Sequence, residues 1–211
     1  MKAFIYTGGA IYPENITEHP KAEDIRIAAD AGVLNAKKLG ERIDLALGDF
    51  DSLGERVSEI PKDAERLTVP AEKDETDTQL AVNEALKRGA DEIVIIGGLD
   101  GRLDHTLSNI AILEAMWDNK IPAVITNGQS RIRYIRSTST LIARSGYKYL
   151  SIIAADDVVK GVSVQGCKYP LENARLTKKF QYTVSNEIEG NCALLSVKKG
   201  GIYIVESRDI T

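Results

Sequence analysis

Short apolar runs punctuate the first half of the chain, and segments of helical spacing separate several of them. Residues 3–6, 25–29, 44–47, 67–69, 93–96 and 123–125 read as buried strands. Residues 33–39 and 80–87 carry their apolar side chains at helical spacing. Strands alternating with helices predict βαβ units and a parallel sheet. After about Arg131 the pattern changes. Residues 149–154, 158–164, 193–197 and 202–205 are short β-rich runs parted by Gly, Asn, Lys and Pro, with no long helix among them. The predicted fold is an α/β domain with a parallel sheet over residues 1–130, followed by a small all-β sandwich over 131–211. The boundary falls in the polar stretch 129–138.

In an open parallel sheet, ligands bind beyond the carboxyl ends of the strands. Those ends are where this sequence places acids and glycines: Asp30-Ala31-Gly32, then Gly48-Asp49-Phe50-Asp51-Ser52, then Gly97-Gly98-Leu99-Asp100-Gly101-Arg102. Asp49 and Asp51 alternate, so in extended chain both carboxylates face the same way and can share one cation. Magnesium accepts a few carboxylates while keeping waters and substrate phosphate oxygens. A solvated turn is the plainer alternative.

Thr76 with Gln79 has the form of a capping box ahead of Leu80, Val82, Ala85 and Leu86, and Lys87 and Arg88 precede a stop at Gly89. Asp77 then lies in the first turn, as a helix stabiliser or as a ligand. Lys73 is a surface lysine or a phosphate contact. The glycines at 97 and 98 allow backbone N–H groups to approach phosphate oxygens, although the spacing is neither a P-loop nor Gly-x-Gly-x-x-Gly. On the helix that follows, Leu103, Leu107, Ile110, Leu113 and Trp117 form an apolar stripe, with Trp117 in the core. Arg102, His105 and Asn109 share a polar face suited to a nucleotide, or else serve as an ion pair and caps. Residues 184–187 (Val-Ser-Asn-Glu) read as a polar turn.

Composition narrows the class. Of the 211 residues, 43% are hydrophobic and 27% charged, as in an ordinary globular protein. The net charge of −4, without a basic block, speaks against a nucleic-acid footprint. Cys167 and Cys192 lie far apart and outside any Cys-x-x-Cys unit, which disfavours a disulfide framework or structural zinc. The apolar start of the chain is too short for a signal peptide, and no stretch is long enough to span a membrane. The expectation is a soluble cytoplasmic protein.

Taken together, these blocks resemble the thiamine pyrophosphokinase family, near its bacterial branch. The likeness rests on residues 29–32 (Ala-Asp-Ala-Gly), 47–52 (Leu-Gly-Asp-Phe-Asp-Ser), 73–78 (Lys-Asp-Glu-Thr-Asp-Thr), and 97–105 with Asn109. In the β half it rests on residues 166–171 and on Ser185-Asn186-Glu187. The resemblance implies transfer of the pyrophosphoryl group of ATP to thiamine. It implies Mg2+ on Asp49, Asp51 and Asp77, with Asp30 close by. Lys73, Gly97, Gly98, Arg102, His105 and Asn109 would meet ATP, and Asp77, Arg102 and Asp104 would be catalytic. Ser185 and Asn186 would lie on the thiamine side. It further implies a homodimer whose active site lies at the subunit interface. Animal members carry a tryptophan after the Ser-Asn turn that stacks on thiamine. Here residues 193–196 read Ala-Leu-Leu-Ser, and Tyr203 is the candidate replacement. Rival readings are a pterin pyrophosphokinase and a non-catalytic nucleotide sensor; the missing glycine fingerprint counts against a dinucleotide-dependent oxidoreductase.

Overall fold

The structure, a computed structural model, describes residues 1–70, 72 and 74–209, with side chains at all of these except 51–53 and 55. Two compact units follow one another along the chain, Met1–Gly128 and Gln129–Thr211. Among the described residues no helix is long and apolar enough to cross a membrane.

Among the described residues the first unit holds six strands: β1 (Lys2–Tyr6), β2 (Ile25–Ala29), β3 (Leu45–Gly48), β4 (Glu65–Thr68), β5 (Glu92–Ile96) and β6 (Ala123–Thr126). All pair in parallel, in the order β4-β3-β2-β1-β5-β6. Strands β1, β2, β3 and β5 are buried almost without alternation, as befits a sheet covered on both faces. Helix α1 (Gly32–Lys38) sends Val33 and Ala36 into a cluster with Phe4, Tyr6, Ala28, Ala46, Val94 and Ile96. Helix α2 (Asp77–Lys87) packs on β1, β2 and β3, while α3 (Leu103–Asp118) packs on β6 and touches α2. The chain lays β1 to β4 outward in one direction, then crosses back to set β5 and β6 on the other side of β1. The switch in winding therefore falls between β1 and β5.

Two expectations are corrected here. Strand β4, expected to be buried, is exposed throughout, because it is an edge strand with only β3 beside it. In α3 the buried residues are Asn109, Ile112, Leu113 and Met116, whereas Leu103 and Leu107 are exposed and Trp117 is half-buried. Apolar residues occupy two stripes of this helix, and spacing alone does not say which one the sheet covers.

The second unit contains two antiparallel sheets. One orders β7 (Ser130–Arg136), β13 (Gly201–Ser207) and β9 (Tyr149–Ala154), with β13 in the middle. The other runs β11 (Leu171–Thr177), β10 (Val158–Gln165), β12 (Cys192–Ser196) and β8 (Ser139–Ala143). Leu150, Ile152, Val159, Val164, Ala193, Leu195, Ile202 and Ile204 supply the core by alternation. The fold class is as predicted, with three strands (β7, β8, β11) beyond those read from the sequence. The stretch read as a polar boundary is largely β7. Its charge is absorbed by Glu206, which is 2% exposed and accepts from Arg131 Nε (2.9 Å) and Nη2 (2.8 Å) and from Arg133 Nη2 (2.9 Å).

Candidate active site on the carboxyl edge of the parallel sheet

The acids of the first motifs stand side by side. Asp30 follows β2 and Asp49 follows β3, and these strands are neighbours. Asp30 N–H donates to Leu47 O at 2.8 Å, and a Cβ on Gly48 would lie 3.2–3.3 Å from Asp30 atoms. Gly48 thus lets the end of β3 close onto Asp30. Two residues here hold left-handed backbone that non-glycine residues rarely adopt, Asp30 at φ 49° and Phe50 at φ 61°. Such local strain gathers at functional sites, and the burial of Phe50 (8% exposed) holds it in place.

Helix α2 connects β4 to β5, which run parallel, so it must travel against them. Its N-terminus therefore returns to the carboxyl edge, bringing Asp77 there. The capping box forms as predicted at its first half, Thr76 Oγ1 accepting from Gln79 N–H at 3.2 Å. The side chain of Asp51 and the whole of Lys73 lie outside the described residues. Asp30 and Asp49 are hard oxygen donors of the kind magnesium takes. Among the described residues no three His, Cys, Asp or Glu side chains gather as a metal group.

The glycine turn after β5 is braced from below. Gly97 and Gly98 have φ of 98° and 70°. A Cβ on Gly97 would meet Thr7 O at 2.8 Å, and one on Gly98 would meet Asn109 Nδ2 at 2.6 Å. Asn109 was placed by the sequence on a polar face with Arg102 and His105. It is instead buried (4% exposed) and donates from Nδ2 to Gly98 O at 3.0 Å. It belongs to the underside of the turn, because α3 meets the sheet through that side.

Arg102 and His105 are exposed at the start of α3. Arg102 grips Asp104 with two hydrogen bonds, Nε to Oδ1 at 3.1 Å and Nη2 to Oδ2 at 2.6 Å. That guanidinium, helped by the His105 N–H, holds the Asp104 carboxyl down at about 2. In that pair the Asp104 carboxylate is stabilised as an anion, and it is a weak base for as long as Arg102 holds it. The pair is solvent-exposed on both sides, so releasing Arg102 to a phosphate costs little.

In the second unit, Ser185 is exposed with left-handed φ of 58°, and its N–H donates to Ser151 Oγ at 3.0 Å. Asn186 is 8% exposed. Its Oδ1 accepts from Tyr169 N–H (2.9 Å) and Glu187 N–H (2.9 Å), and its Nδ2 donates to Tyr169 O (2.8 Å). The Ser-Asn-Glu block is thus pinned to the Lys-Tyr-Pro block, with Asn186 as the pin. Tyr203 is half-buried, its ring 5.5 Å from that of Tyr134 on the neighbouring strand.

Sequence reasoning missed Asn35. It sits 2% exposed on α1 and donates from Nδ2 to Thr7 O (2.7 Å) and Gly9 O (3.0 Å). A polar residue between Val33 and Ala36, on the apolar side of a short helix, was the available signal.

A twisted parallel sheet wound in two directions, with acids and glycine turns on one edge, defines a doubly wound α/β protein built to handle a ligand at its strand ends. The thiamin pyrophosphokinase catalytic-domain model matches residues 17–125, and that family's vitamin B1 binding-domain model matches residues 138–202. The chain belongs to the thiamin pyrophosphokinase family. A Bacillus subtilis (strain 168) protein named thiamine pyrophosphokinase is 31% identical over 198 residues, covering 92% of each chain. Thiamin pyrophosphokinase 1 of Caenorhabditis elegans is 26% identical over 193 residues, 86% of this chain and 78% of its own. The crystal structure of the Bacillus subtilis thiamine pyrophosphokinase superposes over all of both chains with a TM-score of 0.89 at 27% identity.

Proposed function

We propose that the chain transfers the pyrophosphoryl group of ATP to the hydroxyl of thiamine, giving thiamine diphosphate and AMP. One observation carries the reading. The matched catalytic model lies within the first compact unit, whose strand ends hold adjacent acids and a braced glycine turn, and the vitamin B1 model lies within the second.

In this reading the thiamine oxygen bonds to the β-phosphorus, the bond from that phosphorus to the α,β-bridging oxygen breaks, and AMP leaves. Such transfers rest on positioning and charge neutralisation rather than on a covalent intermediate. Asp30, Asp49, Asp51 and Asp77 would hold Mg2+, which when bound supplies positive charge beside the phosphate oxygens. Lys73 and His105 would meet ATP, and Gly97 and Gly98 would do so through the surface of their turn, since their N–H groups donate to Thr126 O (2.8 Å) and Gly8 O (3.1 Å), with Asn109 acting through the turn it supports. Arg102 would leave Asp104 and present its planar fork to the transferring group. Asp77, or Asp104 once Arg102 has left it, is the carboxylate that would receive the hydroxyl proton. Ser185 would face thiamine, and Asn186 would hold the turn that carries it. The working enzyme would be a cytoplasmic homodimer with its active site at the subunit interface.

Incubating the full chain with ATP, Mg2+ and either thiamine or a hydroxymethyl pterin tests the substrate. AMP release with thiamine and not with the pterin is expected. Release with the pterin alone would transfer the reading to the rival alcohol, and ATP binding without AMP from either would make the protein a sensor.

A further inference from the structure

The double glycine of the turn after β1, Gly8-Gly9, takes no part in the site described above. Yet it stands at the switch in winding. The neighbours of β1 are β2 and β5, and the chain runs outward from β1 in both directions. In open α/β sheets the crevice beyond the carboxyl ends at that switch is where ligands sit. One wall of the crevice is Gly97–Gly98, and the other is Thr7–Ala10.

The two walls are laced together. Thr7 N–H donates to Ile96 O at 2.9 Å, Gly98 N–H to Gly8 O at 3.1 Å, and Ala10 N–H to Asp100 Oδ2 at 3.3 Å. Asn35 holds the first turn from beneath through Thr7 O and Gly9 O, as Asn109 holds the second through Gly98 O. Carbonyls are thus drawn inward by two buried amides, one on each wall. The successive N–H groups of Gly8 and Gly9 have no protein acceptor among the described residues, and both glycines are at least partly exposed. Successive outward backbone N–H groups in a fixed turn make an anion-binding concavity. Gly9 (φ 92°) must be glycine: its Cβ would also meet Asp100 O at 3.0 Å.

We propose that the Thr7–Ala10 turn is a second phosphate-binding wall of the nucleotide site, donating Gly8 and Gly9 N–H to polyphosphate oxygens, with Asn35 as its positioning residue. The inference rests on the ATP reading above for its ligand, but it is separable from pyrophosphoryl transfer.

The test is amide NMR on the isotopically labelled full chain, titrated with Mg-ATP, with inorganic tripolyphosphate and with adenosine. Gly8 and Gly9 amide signals should shift with ATP and with tripolyphosphate, and stay in place with adenosine. Calorimetry on Asn35→Ala should show ATP and tripolyphosphate bound about tenfold more weakly, the loss of roughly one hydrogen bond to a charged group, with adenosine unaffected. Shifts at Gly97 and Gly98 while Gly8 and Gly9 stay unmoved would overturn the proposal, whatever the variant does. ATP-induced shifts at Gly8 and Gly9 in a chain that releases no AMP would uphold it while sinking the transferase reading.

Discussion

Arg102 and Asp104 are two residues of one motif that bind each other in the folded chain. Both belong to the Gly-Arg-Leu-Asp-His block, and sequence alone allowed either to be catalytic. Their hydrogen-bonded pairing makes Asp104 the counter-ion of Arg102 until the guanidinium is drawn away. If Arg102 stabilises charge on the transferring group, Arg102→Ala lowers turnover by about 10²–10³, as the loss of other transition-state donors does. A change confined to the Michaelis constant would instead make it a ground-state contact. The pairing is testable on its own. Depressed by Arg102, the Asp104 carboxyl is ionised in the folded chain above about 2, so the pair's contribution to stability is full above the unfolded value of 3.8 and lost as pH falls through about 2. In Arg102→Ala the carbon-13 titration of Asp104 should rise toward 3.8; an unchanged titration would mean another group holds it down.

At the scale of elements, what was legible followed burial. Strands β1, β2, β3 and β5 were read from their apolar runs because both faces of the sheet are covered and nearly every position is apolar, the buried Arg26 of β2 apart. Strand β7 was not, since Arg131, Arg133 and Arg136 made it look like a linker. Arg131 and Arg133 are tolerable because the buried Glu206 on β13 completes their charge, and Arg136 pairs with Asp156. That pairing is long-range and invisible to a local pattern. Glu206→Ala removes the buried carboxylate that Arg131 and Arg133 share, and breaking such a pair costs about 3–5 kcal/mol. A urea unfolding midpoint close to that of the parent would contradict this account of β7. The same limit applied to α3, where two stripes competed, and to Asn35 and Asn109. Their amides act on backbone carbonyls of other strands' turns, a use that spacing along one helix does not encode. The acids at 30, 49 and 77 were legible because sheet topology dictates where strand ends and crossover-helix starts must lie.

The molecule as a whole joins an α/β unit that carries the family's catalytic model to a β unit that carries its vitamin B1 model. Both units place left-handed, non-glycine backbone within family blocks, at Asp30 and Phe50 in the first and at Ser185 in the second. If the chain forms the proposed homodimer, it should sediment at twice its monomer mass; a monomer retaining full activity would remove the subunit interface from the site. Pyrophosphoryl transfer is the central claim, and phosphorus NMR of products separates it from ordinary phosphoryl transfer. With ATP, thiamine and Mg2+, thiamine diphosphate and AMP should accumulate in equal amounts, and neither should form when Mg2+ is chelated. Thiamine monophosphate with ADP, or turnover indifferent to the metal, would contradict it.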